Sequence, residues 1–381
     1  MNGMNTGRQP TRRDFLQGRA AAQLLANAVM GAQDGALDTS PAVTPASVKE
    51  GPAIGLITSL RRRAMACEFE VQLAAGRHDG STEWVLKALD LVEMLENQLT
   101  IYRADSEVLR INREAAKGPV DVEPRLFAMF QLAEQLHRET GGAFDVTSGP
   151  LSEAWGFSRR QGRLPSDAEI AAALERVGME KVELDSANCR VAFRRAGVSL
   201  HVNSIGKGYA LDRMAELLDA AEVGDYLLHG GRSSVLARGD CPASSRAGWT
   251  IGVPHPLRPG ERLAEIFLVN QALGTSGSGT QFFEHHGRRF GHLLDPRTGW
   301  PVSGIFSATV IAPTAAEADA LSTAFYVMGP DEVGAFCARR PEITALLVCL
   351  AEDAGHVRVT TFGWDDSRGR LTADRSPQSR P

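Results

Sequence analysis

The sequence of 381 residues contains no run of about 18 apolar residues, the length that a membrane-spanning helix needs. It also has no excess of basic residues, with 41 Lys and Arg against 46 Asp and Glu. A nucleic-acid partner normally requires concentrated positive charge, so this balance argues against one. The composition, 43% hydrophobic and 23% charged, is that of a globular chain. We therefore expect no membrane span, no nucleic-acid partner, and ligands that are small molecules or proteins.

Cysteines are few, and the five of them form no CxxC pair and no Cys/His cluster. Their spacing argues against structural zinc and against a redox motif. The phosphate-binding pattern GxxxxGK[ST] is missing, as is a GxGxxG placed between a strand and a helix. Any nucleotide must therefore be held by a site of another kind.

The N-terminal 53 residues differ in composition from the rest of the chain. TRRDFL, at Thr11 to Leu16, precedes the Ala-rich stretch RAAAQLLANAVMGA. This order is similar to a bacterial twin-arginine export signal, and it predicts a periplasmic or cell-envelope protein. A basic helix at the N-terminus of a cytoplasmic protein is the alternative interpretation. Residues 31–53 are rich in Ala, Pro, Ser, Thr and Gly, so we interpret residues 1–53 as an export signal followed by a flexible linker.

Hydrophobic patterning predicts one domain over residues 54–362 and a frayed tail over 363–381. Helices are predicted at 81–99, from Pro124 to about residue 140, at 166–178, at 206–221 and from about Ala315. Predicted strands are AIGLIT, CEFEVQLAA, KVELD, RVAF, VSLHV, an antiparallel meander from DYLLHGG to ALGTSG, FSATVIAP, and a C-terminal hairpin turned at Asp353 to Gly355. Most connections are too short for crossovers. The predicted fold is therefore α+β, with a mixed, largely antiparallel sheet and flanking helices.

Glycines cluster beside polar residues in several blocks, where a ligand can approach the backbone. In IGKGYALDRMAELL they precede an amphipathic helix, whose N-terminus and Lys207 suit a phosphate group. An exposed lysine at an ordinary helix entry is the alternative. Asp319 and Thr323 lie four residues apart, on one face of the last predicted helix. Their oxygens suit Mg²⁺, although such a pair also occurs on solvated helix faces.

Three further residues are candidates for a site on their own chemistry. His292, before the turn DPRTG, suits a general base, or a structural hydrogen-bonding role. Tyr102, in TIYRADSEVLRIN, offers an aromatic face beside polar residues. Met65, in RRAMAC, is equally compatible with filling the core.

Taken together, these blocks resemble the ApbE family of flavin transferases, the FAD:protein FMN transferases, over roughly residues 60–350. The resemblance depends on the MAC segment, LENQLTIYRADSEVLRIN, TGGAFDVTSGPLSEAWGF, NSIGKGYALD, LLHGG, TSGSGT, HLLDPRTGWPV and PTAAEADALSTAFYVMG. It implies a T-fold-related α+β fold that binds FAD as substrate with Mg²⁺. The implied reaction transfers FMN to a threonine hydroxyl of a flavin-accepting redox protein and releases AMP.

The resemblance also assigns roles to individual positions of this chain. The implied FAD contacts are Met65, Tyr102, Ala143, Phe144, Asp145, His201, Lys207 and Leu294. The implied metal ligands are Asp319, Thr323 and the backbone carbonyl of Ser204. His292 matches the residue that activates the acceptor hydroxyl, so we expect in-line attack on the FMN-side phosphorus with His292 accepting the proton.

The sequence departs from the family pattern in the ligand-facing blocks. His201 opens HVNSIGKG where the family commonly has an aspartate, and Arg232 follows the paired glycines where an acidic residue is usual. Ser278 and Gly279 replace the customary Asp–Tyr after TSG. These changes leave two alternatives open: an FAD-binding protein or FAD pyrophosphatase of the same fold without protein transfer, and a non-catalytic flavin carrier.

Overall fold

A computed structural model of the chain describes residues 57–372 except 75–79, 242, 245, 278, 280 and 352–355. The predicted export signal and linker at 1–53 lie outside the described residues, as does the predicted turn at Asp353 to Gly355. None of the helices in the described part is both long and apolar enough to cross a membrane.

The described residues form seven α-helices. They are α1 (Ser81–Leu99), α2 (Glu107–Glu114), α3 (Pro124–Glu139), α4 (Gly149–Ala154), α5 (Asp167–Leu174), α6 (Gly206–Ala220) and α7 (Ala315–Arg339). The five predicted helices are confirmed, and local signals explain their starts. Pro124 occupies the first turn of α3, and Ser166 forms a capping box with Glu169 at the start of α5. The short helices α2 and α4, of eight and six residues, were not predicted.

Sixteen strands are described, arranged in four antiparallel sheets. They are β1 (Ile57–Ala64), β2 (Cys67–Ala74), β3 (Val120–Asp121), β4 (Val182–Asp185), β5 (Arg190–Phe193), β6 (Tyr226–Gly230), β7 (Ser234–Arg238), β8 (Trp249–Pro254), β9 (Arg262–Leu268), β10 (Ala272–Gly277), β11 (Phe282–His285), β12 (Arg288–Gly291), β13 (Ile305–Ala312), β14 (Thr344–Leu350), β15 (Val357–Phe362) and β16 (Gly369–Leu371). The main sheet has the order β1-β2-β6-β7-β10-β13-β14-β15. Smaller sheets have the orders β16-β9-β8, β3-β5-β4 and β11-β12. The predicted α+β fold with a largely antiparallel sheet is confirmed.

The described strands add to or differ from the predicted ones in several details. Of AIGLIT only Ile57 and Thr58 lie within the described residues, and both belong to β1, which continues through three arginines. An edge strand tolerates such charge, since Arg62 reaches Asp90 and Glu93 on α1. The meander is interrupted, because β8 and β9 leave the main sheet for a sheet of their own. The segment 363–381, predicted to be a frayed tail, contributes strand β16, which pairs with β9 through Gly369–Leu371.

The prediction of VSLHV as a strand is wrong, because its residues belong to none of the described strands. The Asn112 side chain forms the two backbone hydrogen bonds that a neighbouring strand would otherwise form with Leu200. Its amide nitrogen donates to the Leu200 carbonyl at 3.0 Å, and the Leu200 N–H donates to its oxygen at 2.7 Å. The His201 N–H donates to the Val146 carbonyl at 2.7 Å. Side-chain and loop partners thus satisfy backbone groups that a sheet would otherwise pair.

The main sheet lies between two apolar layers, and alternation along its strands separates them. Leu228 and Val310 point to the large core shared with α1, α3, α6 and α7. Leu227 and Ile311 point to the opposite face, where β8 and β9 cover them. This packing fixes the N-terminal ends of α6 and α7 against the strands, where polar residues gather.

Candidate active site

A cleft of about 1000 Å³ opens where the β1–β2 turn, the start of α6 and the middle of α7 meet. All twelve residues that the sequence marked as candidates line this single cleft: Met65, Tyr102, Ala143, Phe144, Asp145, His201, Ser204, Lys207, His292, Leu294, Asp319 and Thr323. They come from segments as far apart in sequence as residues 65 and 323. The roles assigned to them individually stay predictions.

Met65 reaches the cleft from a strained two-residue turn. Met65 and Ala66 connect β1 to β2, and their φ angles are 50° and 58°. Two-residue hairpin turns need positive φ, which glycine and asparagine normally supply. A non-glycine residue in this region costs on the order of 1–2 kcal/mol. The surrounding sheet therefore holds Met65 at the cleft in a conformation that the turn alone does not favour.

Asp319 is buried at the inner end of the cleft, with 6% of its surface exposed. Its carboxylate accepts hydrogen bonds from the Ser234 hydroxyl at 2.7 and 2.8 Å and from the Gly208 N–H at 2.8 Å. Burial raises the pKa of Asp319 to about 6, whereas the nearby Lys207 ammonium acts in the opposite direction. The Lys207 ammonium donates to the Ser233 hydroxyl, which lies next to Ser234.

Helices α6 and α7 hold each other in register through two carboxylates. Asp212 on α6 accepts from the Ala315 and Ala316 N–H groups, both at 2.8 Å, and so satisfies the first turn of α7. Asp319 on α7 accepts from Gly208 in the first turn of α6. Burial raises the pKa of Asp212 to about 7, against the effect of its two N–H donors. These hydrogen bonds hold the first turns of α6 and α7 together, and Lys207 and Asp319 line the same cleft.

The close approach of the two helices requires glycine at position 208. A Cβ there would lie 2.0 Å from the Ala315 carbonyl oxygen, closer than any real contact. Gly274 on β10 is similar, since its Cβ would lie 2.4 Å from the Ala318 carbonyl oxygen. Glycines therefore let α6 and β10 press against the first turns of α7.

Hydroxyl groups surround the next turn of α7. Thr323 donates to the Asp319 carbonyl at 3.3 Å, and Ser322 donates to the same carbonyl at 2.9 Å. Ser276 on β10 lies 3.0 Å from the Thr323 hydroxyl and 2.9 Å from that of Ser322. This end of the cleft therefore presents oxygen atoms from a carboxylate and several hydroxyls. The described residues contain no group of three or more His, Cys, Asp or Glu side chains arranged to hold a metal.

His292 is partly buried on the opposite wall. Its Nδ1 lies 3.1 Å from the Gln281 carbonyl, an acceptor, so we assign the proton of the neutral ring to Nδ1. Nε2 then carries the free lone pair of a base. Burial lowers the pKa of His292, although the carbonyl contact opposes this. The Phe157 ring meets the imidazole edge to face, at 6.5 Å between centroids.

His201 is a second histidine of the cleft, and it has a different environment. Burial lowers its pKa to about 4, so the ring is neutral at pH 7. The ring packs on the Gly149 backbone, where a Cβ would lie 2.3 Å from two imidazole atoms. The cleft thus has an uncharged ring at the position where the family pattern has a carboxylate.

Asp145 lines the cleft, but its carboxylate is engaged within the protein. It accepts from the Thr147 N–H at 2.7 Å and the Thr147 hydroxyl at 2.5 Å. Its other oxygen lies 3.2 Å from His137 Nδ1, which is also 3.1 Å from the Phe144 carbonyl. Burial disfavours charge on His137, but the contact with Asp145 outweighs it and raises the pKa. These bonds fix the shape of the segment from Ala143 to Thr147.

Tyr102 marks the outer end of the cleft. Its side chain is 70% exposed, and its hydroxyl donates to the Ser158 carbonyl at 3.3 Å. An exposed ring beside an apolar wall offers a stacking surface for a planar ligand. The cleft therefore runs from an aromatic entrance to an oxygen-rich inner end.

The sequence interpretation missed the residues that support the candidates. They are His137, Asp212, Ser233, Ser234, Ser276 and Ser322. Ser233 and Ser234 belong to the HGGRSS block, and Ser276 to GTSGSGT, so the glycine clusters already pointed to these segments. Asp212 likewise belongs to the IGKGYALDRMAELL block, although nothing local shows that its partners are the Ala315 and Ala316 N–H groups. His137 carries no such signal.

Fold and cleft together define an α+β enzyme whose site accommodates a large ligand and sets a lysine beside a buried carboxylate. The sequence profile of the ApbE family matches residues 65–347. The FAD:protein FMN transferase of Klebsiella pneumoniae (strain 342) is 30% identical over 270 residues, or 70% of this chain and 82% of that protein. The crystal structure of the ApbE protein from Thermotoga maritima has a TM-score of 0.68 and 30% identity, over 77% of this chain and 94% of that one.

The apo crystal structure of the Pseudomonas stutzeri flavinyl transferase ApbE has a TM-score of 0.72 and 28% identity, over 82% of this chain and 96% of that one. The chain therefore belongs to the ApbE family. The predictions that it is a member and an enzyme of that family are confirmed.

Proposed function

We propose that this protein transfers FMN from FAD to a threonine hydroxyl of an acceptor protein, in a reaction that needs Mg²⁺ and releases AMP. The observation that carries the proposal is the shared cleft: Lys207, Asp319 and His292 all line it. A cleft of about 1000 Å³ suits a ligand of dinucleotide size. The relatives named as FAD:protein FMN transferases support the flavin and the protein acceptor.

We assign the aromatic end of the cleft to the flavin. Met65, Tyr102 and Leu294 offer apolar or aromatic surface, and the Ala143–Asp145 segment forms the adjoining wall. Because the Asp145 carboxylate is occupied by Thr147 and His137, this segment contributes shape rather than a free charge. His201 contributes a neutral ring there.

We assign the other end to the pyrophosphate. The N-cap residue of α6, Ile205, makes no capping bond; of the first-turn N–H groups that of Gly208 donates to Asp319, and Lys207 lies in the same turn. Both the helix end and the ammonium attract phosphate oxygens. Lys207 already donates to Ser233, so its ammonium is held near the Asp319 end of the cleft.

The residues at this end fit Mg²⁺. The Asp319 carboxylate, the Thr323 hydroxyl and the Ser204 carbonyl are oxygen ligands, which this cation prefers. A single carboxylate suits a metal that is usually completed by water and substrate phosphates. When bound, Mg²⁺ neutralises negative charge that develops on the pyrophosphate oxygens.

His292 is the base of the proposed reaction. The threonine hydroxyl oxygen forms a bond to the FMN-side phosphorus, and the bond from that phosphorus to the AMP oxygen breaks. The hydroxyl proton passes to Nε2 of His292, which is unprotonated because Nδ1 donates to Gln281. Lys207 compensates the charge of the departing AMP phosphate.

Mass spectrometry tests the proposal directly. An acceptor domain carrying a target threonine is incubated with this protein, FAD and Mg²⁺, while AMP is followed separately. We expect an FMN adduct that is lost in Asp319→Ala and kept in Asp331→Ala, an exposed position farther along α7. AMP release without an adduct would instead support the alternative of an FAD pyrophosphatase. Bound FAD without either product would support a flavin carrier.

We also propose that the protein acts outside the cytoplasm. The support is the TRRDFL segment followed by an Ala-rich stretch. Fractionation of bacteria producing the full chain and an Arg12→Lys/Arg13→Lys variant tests this. Retention of the variant, with export of the parent, is expected, whereas equal distribution would contradict the proposal.

A further inference from the structure

One wall of the cleft consists of two segments that pack on each other: residues 157–163 and the β11–β12 hairpin. The Gln281 side-chain amide donates to the Phe157 carbonyl at 2.9 Å. The Phe157 and Phe283 rings lie 5.7 Å apart between centroids. A Cβ on Gly162 would lie 2.5 Å from Phe283. Because Phe157, Gln281 and His292 line the cleft, this wall stands beside the proposed base.

The outer side of this wall is rich in arginine. We call the set Arg159, Arg160 and Arg288 the basic rim. Arg159, Arg160 and Arg288 are exposed, and none of the three forms an ion pair with another described residue. Neighbouring arginines behave differently, since Arg163 pairs with Glu169 and Arg297 with Asp295. The chain as a whole carries a net charge of −5, so this local positive charge is not a general property of its surface.

An aromatic ring orients one arginine of the rim. The Arg288 guanidinium lies 5.0 Å from the Phe290 centroid. Such stacking orients a guanidinium and leaves its edge able to bind carboxylates. Arg289, the next residue of β12, points to the other face of the hairpin, where it lies 3.4 Å from the Phe282 centroid and has Glu284 as its cross-strand neighbour. Arg289 is therefore not a member of the rim.

The rim lies partly outside the cleft. Of its three members only Arg160 lines the cleft, whereas the pyrophosphate is assigned to Lys207 at the inner end. A protein acceptor must bring its hydroxyl to His292 from outside, past this wall. We infer that the basic rim binds an acidic segment flanking the target threonine of the acceptor protein. This inference depends on the proposed FMN transfer and specifies its partner.

Labelled peptides test the inference with the full FAD-loaded protein. Three 15-residue peptides carry a central threonine flanked by four Asp, four Asn or four Lys. Fluorescence anisotropy gives their Kd at about 0.02 and 0.15 M salt, where surface charges are screened differently. The variant is Arg159→Glu/Arg288→Glu. The matched control, Arg113→Glu/Arg339→Glu, makes the same charge change at exposed arginines in the last turns of α2 and α7.

We expect the Asp peptide to bind at least tenfold more tightly than the Asn peptide, and more so at low salt. The rim variant should lose this preference, and the control should keep it. Equal binding of the Asp and Asn peptides, or equal losses in both variants, would overturn the inference. The inference would also be overturned if the rim variant lost as much affinity for FAD as for the Asp peptide.

Adduct formation on the same peptides separates the two proposals. Charge-dependent binding without any FMN adduct would support the rim and count against transfer. Adducts that form equally on all three peptides would support transfer and overturn the rim.

Discussion

The two ends of the cleft are built in different ways. At the inner end, Asp319 is buried and tied to backbone groups of another helix, and glycines allow contacts too close for any side chain. At the outer wall, arginines are exposed and the supporting contacts are between aromatic rings. The inner end is therefore rigid and intolerant of substitution, whereas the wall can change its charge without disturbing the core. This difference suits a constant chemical step combined with a variable protein partner.

The largest expected effect is on the rate of FMN transfer, and it concerns His292. His292→Gln removes the proposed base but keeps a polar side chain of similar length. We expect the transfer rate to fall by about 10²–10⁴-fold, the usual contribution of general base catalysis. The Kd for FAD should change little. His356→Gln, at an exposed histidine just before β15, is the control. An undiminished rate in His292→Gln would rule out the proposed role.

The contact between α6 and α7 provides the next prediction. Gly208→Ala introduces a Cβ 2.0 Å from the Ala315 carbonyl oxygen, so the helices must separate. We expect the free energy of unfolding to fall by about 3 kcal/mol, as in an overpacked core. Gly118→Ala is the matched control, because nothing lies within 4 Å of the added Cβ. Urea unfolding measures the free energy of unfolding of both variants. Equal values would show that the contact between α6 and α7 does not require glycine at position 208.

His201 predicts a pH dependence of stability. Its pKa is about 4 in the folded protein against an ordinary value of 6.5, so the unfolded chain binds the proton more readily. The free energy of unfolding should therefore fall as the pH drops from 6.5 to 4, by up to about 3 kcal/mol. His201→Asn should remove this part of the slope in unfolding curves recorded across that range. An unchanged slope would mean that His201 is not the group responsible.

The smallest expected effect tests the reciprocal carboxylates. Asp212→Asn leaves one amide oxygen for the two N–H groups at the start of α7. A buried N–H group left without an acceptor at the start of α7 predicts a decrease of about 2 kcal/mol in the free energy of unfolding. Asp105→Asn, at an exposed loop position, should leave stability unchanged. An unfolding midpoint for Asp212→Asn equal to that of the parent would contradict the stabilising role of Asp212 at the start of α7.

Much of the fold was predictable from sequence because its signals are local. The apolar stripe of α1, Pro124 in α3 and the capping box at Ser166 each act within a few residues. The extension of β1 beyond Thr58 was not predicted because its arginines conceal the alternation. Strand β16 was missed because it is three residues long and exists only through its pairing with β9.

Residue types and their spacing along single elements specify the chemistry available to this protein. They place two oxygen-bearing side chains on one helix face, a lysine at a helix entry and a histidine before a turn. Chain packing alone brings these groups into one cleft, sets His137 beside the Asp145 carboxylate and places Asp212 at the start of α7. Asp212 and α7 are about a hundred residues apart, so their hydrogen bonds depend on helix packing, which no local pattern encodes.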